Sequence, residues 1–290
     1  MRLRTLPLSL AGVLMGILMA AADGCTHCSI IIFTLLTTVC LQILSNISNE
    51  LGDYLHGTDT DDRTAPAYSL QLGDLSIRDF KMLIIIMIAL CCCFGVLMIW
   101  FSYGTFWKWQ PLSLILLGAF AIWGAMRYTL GKNPYGYRGL GDIFVFIFFG
   151  LVSVMGGYFV SAHTLTPWLL LPAGTIGLFS VGVLNVNNIR DMATDAGTRV
   201  TVPLRIGEKR AKIYHTILIS SGWLLLIVFL LLQAKSPWQW MGIVTLPLYA
   251  IHLRGVWTLS GRQLDKMLPL LVMTTFLLTL LVGIPGSLSN

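Results

Sequence analysis

The chain has 290 residues, 56% of them apolar and 11% charged, with a formal net charge of +6. That composition excludes an ordinary soluble globule. The positive charge needs no nucleic acid to explain it, because basic residues also orient membrane proteins and meet anionic lipid or an anionic substrate.

Apolar runs long enough to cross a bilayer recur along the whole length. They predict nine transmembrane helices at 6–22, 28–48, 82–101, 111–130, 143–161, 167–187, 213–232, 238–254 and 267–285. Inside lipid the backbone has no water to bond, so helices are the state expected for such runs. The fold class is therefore an all-α polytopic membrane protein with one membrane-embedded domain over 1–290. With the N-terminus cytoplasmic, all but Lys108 and Lys235 of the 19 Lys and Arg fall on the inner side. Asp23 alone of the acids faces out. The asymmetry obeys the positive-inside rule.

The first run follows Arg2 and Arg4 and ends near Ala20-Ala21-Ala22. It is read as a span and not as a cleaved leader, since its removal would invert the charge balance of every later loop. Cys25-x-x-Cys28 in the first outer loop lacks the further ligands that zinc needs, and cysteines in spans act as small apolar side chains. The second span ends in Asn49-Glu-Leu-Gly-Asp53, followed by a polar segment, 57–81. Gly57 and the Asp/Thr cluster at 58–62 oppose a helix there, so Asp59 is expected on a loop able to act as a lid. Trp100, Tyr103, Trp107 and Trp109 around the next outer loop form an aromatic interface belt.

The fourth span ends in a segment, 127–142, dense in Gly and Tyr. Its Tyr128, Lys132, Tyr135, Tyr137 and Arg138 offer donors suited to phosphate oxygens. The sixth span ends in Asn187-Asn-Ile-Arg-Asp191-Met-Ala-Thr-Asp195, then a basic loop in which Arg199 is the best anion-contact candidate; Lys209, Arg210 and Lys212 are read as solvated topology signals. His252 is read as a satisfied interfacial histidine. The recurrence of Asn-x-x-x-Asp at the ends of spans two and six predicts two four-helix units, about 1–142 and 143–265, plus a ninth helix, with the acidic motifs face to face.

On a helix, residues i and i+4 share a face, so Asn49 with Asp53, and Asn187 with Asp191 and Asp195, are expected to form two stripes. Facing carboxylates repel unless a cation lies between them. Oxygen donors without His or Cys point to a hard ion, and Mg²⁺ commonly joins one or two carboxylates to substrate phosphates. Acidic stripes beside Lys, Arg and Tyr therefore imply a metal-bridged diphosphate, and the membrane setting implies that the rest of that ligand is lipid-like. A transporter is the other class open to such a chain, but the acids cluster at one face and the span centres are nearly free of charge.

These residues carry a family resemblance. Arg-Leu-Arg-Thr-Leu-Pro (2–7), the 49–63 stretch, Tyr-Gly-Tyr-Arg-Gly-Leu-Gly-Asp (135–142) and the 187–199 stretch occur in the order seen in the UbiA superfamily of membrane-embedded prenyltransferases. The chain is most similar to the branch that prenylates 1,4-dihydroxy-2-naphthoate in menaquinone biosynthesis. The resemblance implies nine helices around a cavity open to the cytoplasm, a lateral portal for the isoprenoid tail, and a bacterial inner-membrane location. It implies that Asn49, Asp53, Asp59, Asn187, Asp191 and Asp195 hold Mg²⁺ and through it the diphosphate, with Asp53, Asp191 and Lys132 as the catalytic residues. Tyr128 and Lys132 would contact the diphosphate, assisted by Arg138, Arg4 and Arg199. The implied reaction joins a polyprenyl diphosphate to the naphthoate with loss of CO₂ and diphosphate, giving demethylmenaquinone. Relatives of this kind that use 4-hydroxybenzoate, homogentisate or haem are the alternatives. Glu50 departs from the Asp that commonly follows the first Asn, keeping the charge on a longer arm.

Overall fold

The computed structural model describes residues 5–25, 27–57 and 75–288. Two expected site residues, Arg4 and Asp59, lie outside these, as does most of the expected lid.

The apolar runs fold as helices, and no strand occurs among the described residues. In chain order they are α1 (Leu6–Ala22), α2 (Cys28–Leu55), α3 (Ile77–Tyr103), α4 (Trp109–Arg127), α5 (Gly141–Ala162), α6 (Pro167–Arg190) and α7 (Glu208–Gln233). A 3₁₀ segment, Pro237–Thr245, then leads into α8 (Leu246–Thr258), and α9 is Gly261–Ser287. Seven of these, α2 to α7 and α9, are long and apolar enough to cross a membrane. The first span forms a helix with its expected bounds but falls among the shorter apolar helices, and the eighth is only partly α-helical. α1 has 17 residues, about 26 Å at the α-helical rise, and the eighth is interrupted by its 3₁₀ half.

Local chemistry sets the helix ends. Ser76 and Asp79 cap the start of α3 reciprocally, with Asp79 N–H on Ser76 Oγ at 3.2 Å and Ser76 N–H on Asp79 Oδ2 at 2.9 Å, a pairing that satisfies two orphan amides. At its other end Gly104 takes the left-handed conformation that closes a helix. α5 holds a ten-residue π-helical stretch, Phe146–Met155, between two α-helical ends. Such stretches are rare and often sit at functional sites.

Two of the four apolar clusters among the described residues position the site. Leu44, Ile47 and Leu51 of α2 meet Phe80 and Ile84 of α3, with Ala125 and Met126 of α4 against them. The larger group joins α1 to α5–α9 around Met15, Tyr158, Phe179, Trp223, Tyr249 and Leu271. Close packing there uses small residues: a Cβ on Gly150 of α5 would stand 2.7 Å from the Gly177 Cα of α6. A cavity of about 610 Å³ lies between the two groups.

Two basic residues sit differently from their expected places. His252 is fully buried, not interfacial, with its Nε2 2.9 Å from His215 Nε2. Lys212 is buried, not solvated, and its ammonium donates to the Leu259 carbonyl at 3.1 Å and pairs with Glu208 at 2.9 Å. A helix-helix contact desolvates each of them, and pattern along one chain does not reveal such a contact. All six cysteines are free thiols.

Candidate active site

α2 continues beyond its apolar run to Leu55, and this carries Asn49 and Asp53 on a regular helix. Gln42, Asn46, Asn49 and Asp53 all line the cavity; their spacing of i, i+4, i+7 and i+11 defines one helical stripe. Deeper in, the Gln42 amide donates to Thr5 Oγ1 at 3.0 Å and Asn46 Oδ1 at 3.1 Å, and its carbonyl accepts from Ser9. Sequence reading passed over this uncharged cluster, although its period continued that of the acidic motif.

α6 ends at Arg190, and the chain keeps helical hydrogen bonds through the second motif. Asp191 N–H donates to the Asn187 carbonyl at 3.1 Å, and Asp195 N–H to the Asp191 carbonyl at 2.9 Å. Asn187, Arg190 and Arg199 line the same cavity as Asn49 and Asp53, so the bundle brings both motifs to one end of it.

Asp53, Asp191 and Asp195 are each no more than 2% exposed. Carboxylates so buried are costly without partners, and each has one. Arg190 clasps Asp191 with two parallel bonds, Nε to Oδ1 at 2.8 Å and Nη2 to Oδ2 at 2.6 Å. The same guanidinium reaches Asn187 Oδ1 and Asp265 Oδ1, both at 2.8 Å. Asp53 receives the Tyr137 hydroxyl at 2.7 Å and Arg199 Nη2 at 3.2 Å. Arg199 Nε also lies 3.2 Å from Asp195 Oδ1, within ion-pair distance though not aligned as a hydrogen bond. One guanidinium thus joins the two motifs. Burial disfavours its charge, but Asp53 and then Asp195 more than offset this, and its pKa rises above the ordinary arginine value. Its plane lies over the Tyr137 ring at 4.8 Å, a cation–π arrangement.

The loop after α4 is positioned by backbone bonds. Gly136 N–H donates to the Tyr128 carbonyl at 3.0 Å, and Val200 N–H to the Tyr137 carbonyl at 2.9 Å. The second bond forms an isolated bridge between the Tyr-rich loop and the Arg199 loop. Thr129 Oγ1 lies 3.2 Å from Asn49 Oδ1 and donates to the Ser48 carbonyl at 2.9 Å.

Of the expected residues, Asn49, Asp53, Tyr128, Asn187 and Arg199 line the cavity, with Asp191 and Asp195 buried behind it. Lys132 and Arg138 are exposed and not on its wall. Glu50 is buried and also off the wall. Sequence reading missed Arg190 and Asp265. The signal for Arg190 was its place inside the second motif, a cation in the last turn of an apolar span. Among the described residues, no three His, Cys, Asp or Glu side chains converge as a ready-made metal cage.

The chain is similar to several known proteins. A 1,4-dihydroxy-2-naphthoate octaprenyltransferase of Escherichia coli is 37% identical over 257 residues, covering 88% of this chain and 83% of its own. One from Haemophilus influenzae is 34% identical over 290 residues, covering 99% and 92%, and one from Mycobacterium tuberculosis is 33% identical over 275, covering 93% and 88%. In fold the chain is similar to the apo structure of a UbiA homolog from Aeropyrum pernix, with a TM-score of 0.70, 16% identity and coverage of 100% and 98%. It is also similar to a UbiA homolog from Archaeoglobus fulgidus bound to GPP and Mg²⁺, with a TM-score of 0.68, 15% identity and coverage of 99% and 98%. The family model described as the UbiA prenyltransferase family matches residues 9–283. With that match spanning nearly the whole helical bundle, the chain belongs to the UbiA prenyltransferase family.

Proposed function

We propose that this protein transfers a polyprenyl group from polyprenyl diphosphate to 1,4-dihydroxy-2-naphthoate, in menaquinone biosynthesis. The observation that carries the reading is the near full-length similarity to relatives named for this reaction, joined to a cavity with carboxylates and guanidinium groups at one end and apolar walls beyond.

The donors at the polar end fit Mg²⁺. Asn49, Asp53, Asn187, Asp191 and Asp195 offer only oxygen ligands besides the amide nitrogens, and Arg199 already places positive charge between Asp53 and Asp195. A preformed cage is not needed, because Mg²⁺ takes few carboxylates and completes its shell with phosphate oxygens and water. Bound there, the ion supplies positive charge against the negative charge that develops on the leaving diphosphate.

The chain's own groups do the rest. Arg199 and Arg190 face the cavity and stabilise the same developing charge in a water-poor site. Tyr128 on the wall orients the diphosphate, and Lys132 and Arg138 draw it in from solvent. Phe144, Phe148 and Phe149 line the apolar side and present ring faces to the allylic carbon as it gains positive character. The allylic C–O bond breaks and its electron pair leaves with diphosphate. The carboxyl-bearing ring carbon attacks; then the ring–carboxylate bond breaks, its electron pair returns to the ring, and CO₂ departs. The balanced product is the quinol form of demethylmenaquinone.

Supporting the finer topology, the charge asymmetry favours nine crossings, a cytoplasmic N-terminus and an active site facing the cytoplasm of a bacterial inner membrane. The two-unit organisation, 1–142 and 143–265, is part of the same reading. Protein purified into lipid, supplied with Mg²⁺, a polyprenyl diphosphate and one acceptor at a time, tests the assignment. Turnover of 4-hydroxybenzoate, homogentisate or haem without turnover of the naphthoate would overturn it.

A further inference from the structure

The leading carboxamides of the two motifs are held in different ways. A carboxamide carries an oxygen at one end and an amino group at the other, and only the oxygen suits a hard cation. Asn187 has both ends assigned within its own motif: Oδ1 accepts from Arg190 Nη2 at 2.8 Å, and Nδ2 donates to Asp191 Oδ2 at 3.4 Å. Arginine only donates and an ionised carboxylate only accepts, so those two ends cannot be exchanged. Asn49 has no arginine beside it in α2. Its carboxamide instead meets Thr129, which lies 80 residues on, in the turn after α4.

The packing around Thr129 forces this contact. Thr129 is 1% exposed, and Gly52, inside the first motif, lets it approach α2. A Cβ on Gly52 would stand 2.5 Å from Thr129 Oγ1 and 2.6 Å from the Thr129 Cβ. Glycine inside a helix is unfavourable relative to alanine, and the close approach is the reason for it here. Thr129 Oγ1 lies 2.9 Å from the Ser48 carbonyl oxygen and 3.2 Å from Asn49 Oδ1. Among these three oxygens there is one proton, that of the Thr129 hydroxyl. The Ser48 carbonyl is nearer and, as part of the α2 backbone, cannot turn, so it takes the proton. The hydroxyl is then left as an acceptor, and the end of Asn49 that suits an acceptor is its amino group.

We propose that Thr129 is a positioning residue for the metal. Its hydroxyl accepts an N–H from the Asn49 carboxamide, and so turns Oδ1 to the side away from Thr129 and presents it to Mg²⁺. Gly52 is the residue that allows Thr129 to reach that place. The inference rests on the reading of Asn49 as a Mg²⁺ ligand given above.

The test measures metal affinity without turnover. Mn²⁺ stands in for Mg²⁺, since both take oxygen ligands. Free Mn²⁺ is followed by its EPR signal as detergent-solubilised protein with geranyl thiodiphosphate is titrated, against a protein-free blank. Thr129→Val keeps the shape and removes the hydroxyl. Its apparent Kd should rise about 10- to 100-fold, the usual loss when a group that orients a metal ligand is removed. Thr129→Ser keeps the hydroxyl and should stay within about threefold of wild type. Gly52→Ala, which pushes Thr129 off α2, should match Thr129→Val, and wild-type affinity there overturns the part given to Gly52. Asn49→Asp separates orientation from packing. A carboxylate has oxygen at both ends, so adding Thr129→Val to Asn49→Asp should cost no more than about threefold. Unchanged affinity in Thr129→Val, or an equal loss with and without Asn49→Asp, overturns the positioning role. If Thr129→Val does not fold, Thr129→Ala takes its place under the same criteria. Wild type that takes up no Mn²⁺, or Asn49→Ala that binds it as tightly as wild type, overturns the metal reading of Asn49 and this inference with it.

Discussion

The two acidic motifs look alike along the chain but are neutralised in opposite ways. Asp191 carries its cation next to it, because Arg190 is its neighbour and grips it with two bonds. Asp53 has no adjacent cation and receives Tyr137 and Arg199 from loops 84 and 146 residues away. The second motif is therefore self-contained, whereas the first is completed only when the loops after α4 and α6 close over it. Arg199, paired with both Asp53 and Asp195, makes the two halves one electrostatic unit. A site built this way pairs each acid with a guanidinium before substrate arrives.

The largest effects should come from the carboxylates themselves. Asp53→Asn and Asp191→Asn are each expected to lower kcat for Mg²⁺-dependent prenyl transfer by about 10²–10³-fold, the scale of losing one group that stabilises transition-state charge. The proteins should still insert and fold, as size-exclusion chromatography in detergent would report. Retained activity in Asp191→Asn would remove the second motif from the metal site.

Arg199→Ala tests the link between the motifs. It leaves two buried carboxylates without their shared cation, a change that typically costs about 3–5 kcal/mol. Its melting temperature should drop and then recover with Mg²⁺ more than wild type does, since a ligand bound only to the folded state adds about 2.7 kcal/mol at a hundredfold its Kd. Equal Mg²⁺ responses in a thermal melt would mean that Arg199 is not holding charge that the ion can replace.

Tyr137→Phe removes one hydrogen bond to Asp53 and nothing from Asp191. Hydrogen bonds to charged groups contribute about 1.5–3 kcal/mol, so activity should fall about 10- to 100-fold, less than for Asp53→Asn. Because the second motif is complete without Tyr137, an effect as large as that of Asp191→Asn would erase the asymmetry between them. Lys132→Gln should have the smallest effect. Its head is exposed and off the cavity wall, and an exposed charge contributes about 0.2–1 kcal/mol, so KM for the prenyl diphosphate should rise about fivefold or less with little change in kcat.

Helices and their order were legible because a bilayer imposes one length and one backbone solution on every span. Asn49, Asp53, Asn187 and Asp191 were legible because carboxylates and amides at the ends of apolar runs stand out, and their i, i+4 spacing survives in any helix. Of the nine expected spans, α1 is short and α8 follows a 3₁₀ segment, and neither feature leaves a mark in hydropathy. Arg190 was hidden by its place within a motif read for its acids, and Asp265 by its distance of 75 residues from the guanidinium that holds it.

What the sequence determined by itself was the class of molecule and the kind of chemistry, since both follow from composition and from spacing within single helices. Only the tertiary structure decided which cation serves which carboxylate, and that His252 and Lys212 are buried. Those depend on contacts between helices far apart in the chain, and packing across a helix pair leaves no period in either strand of the sequence that makes it.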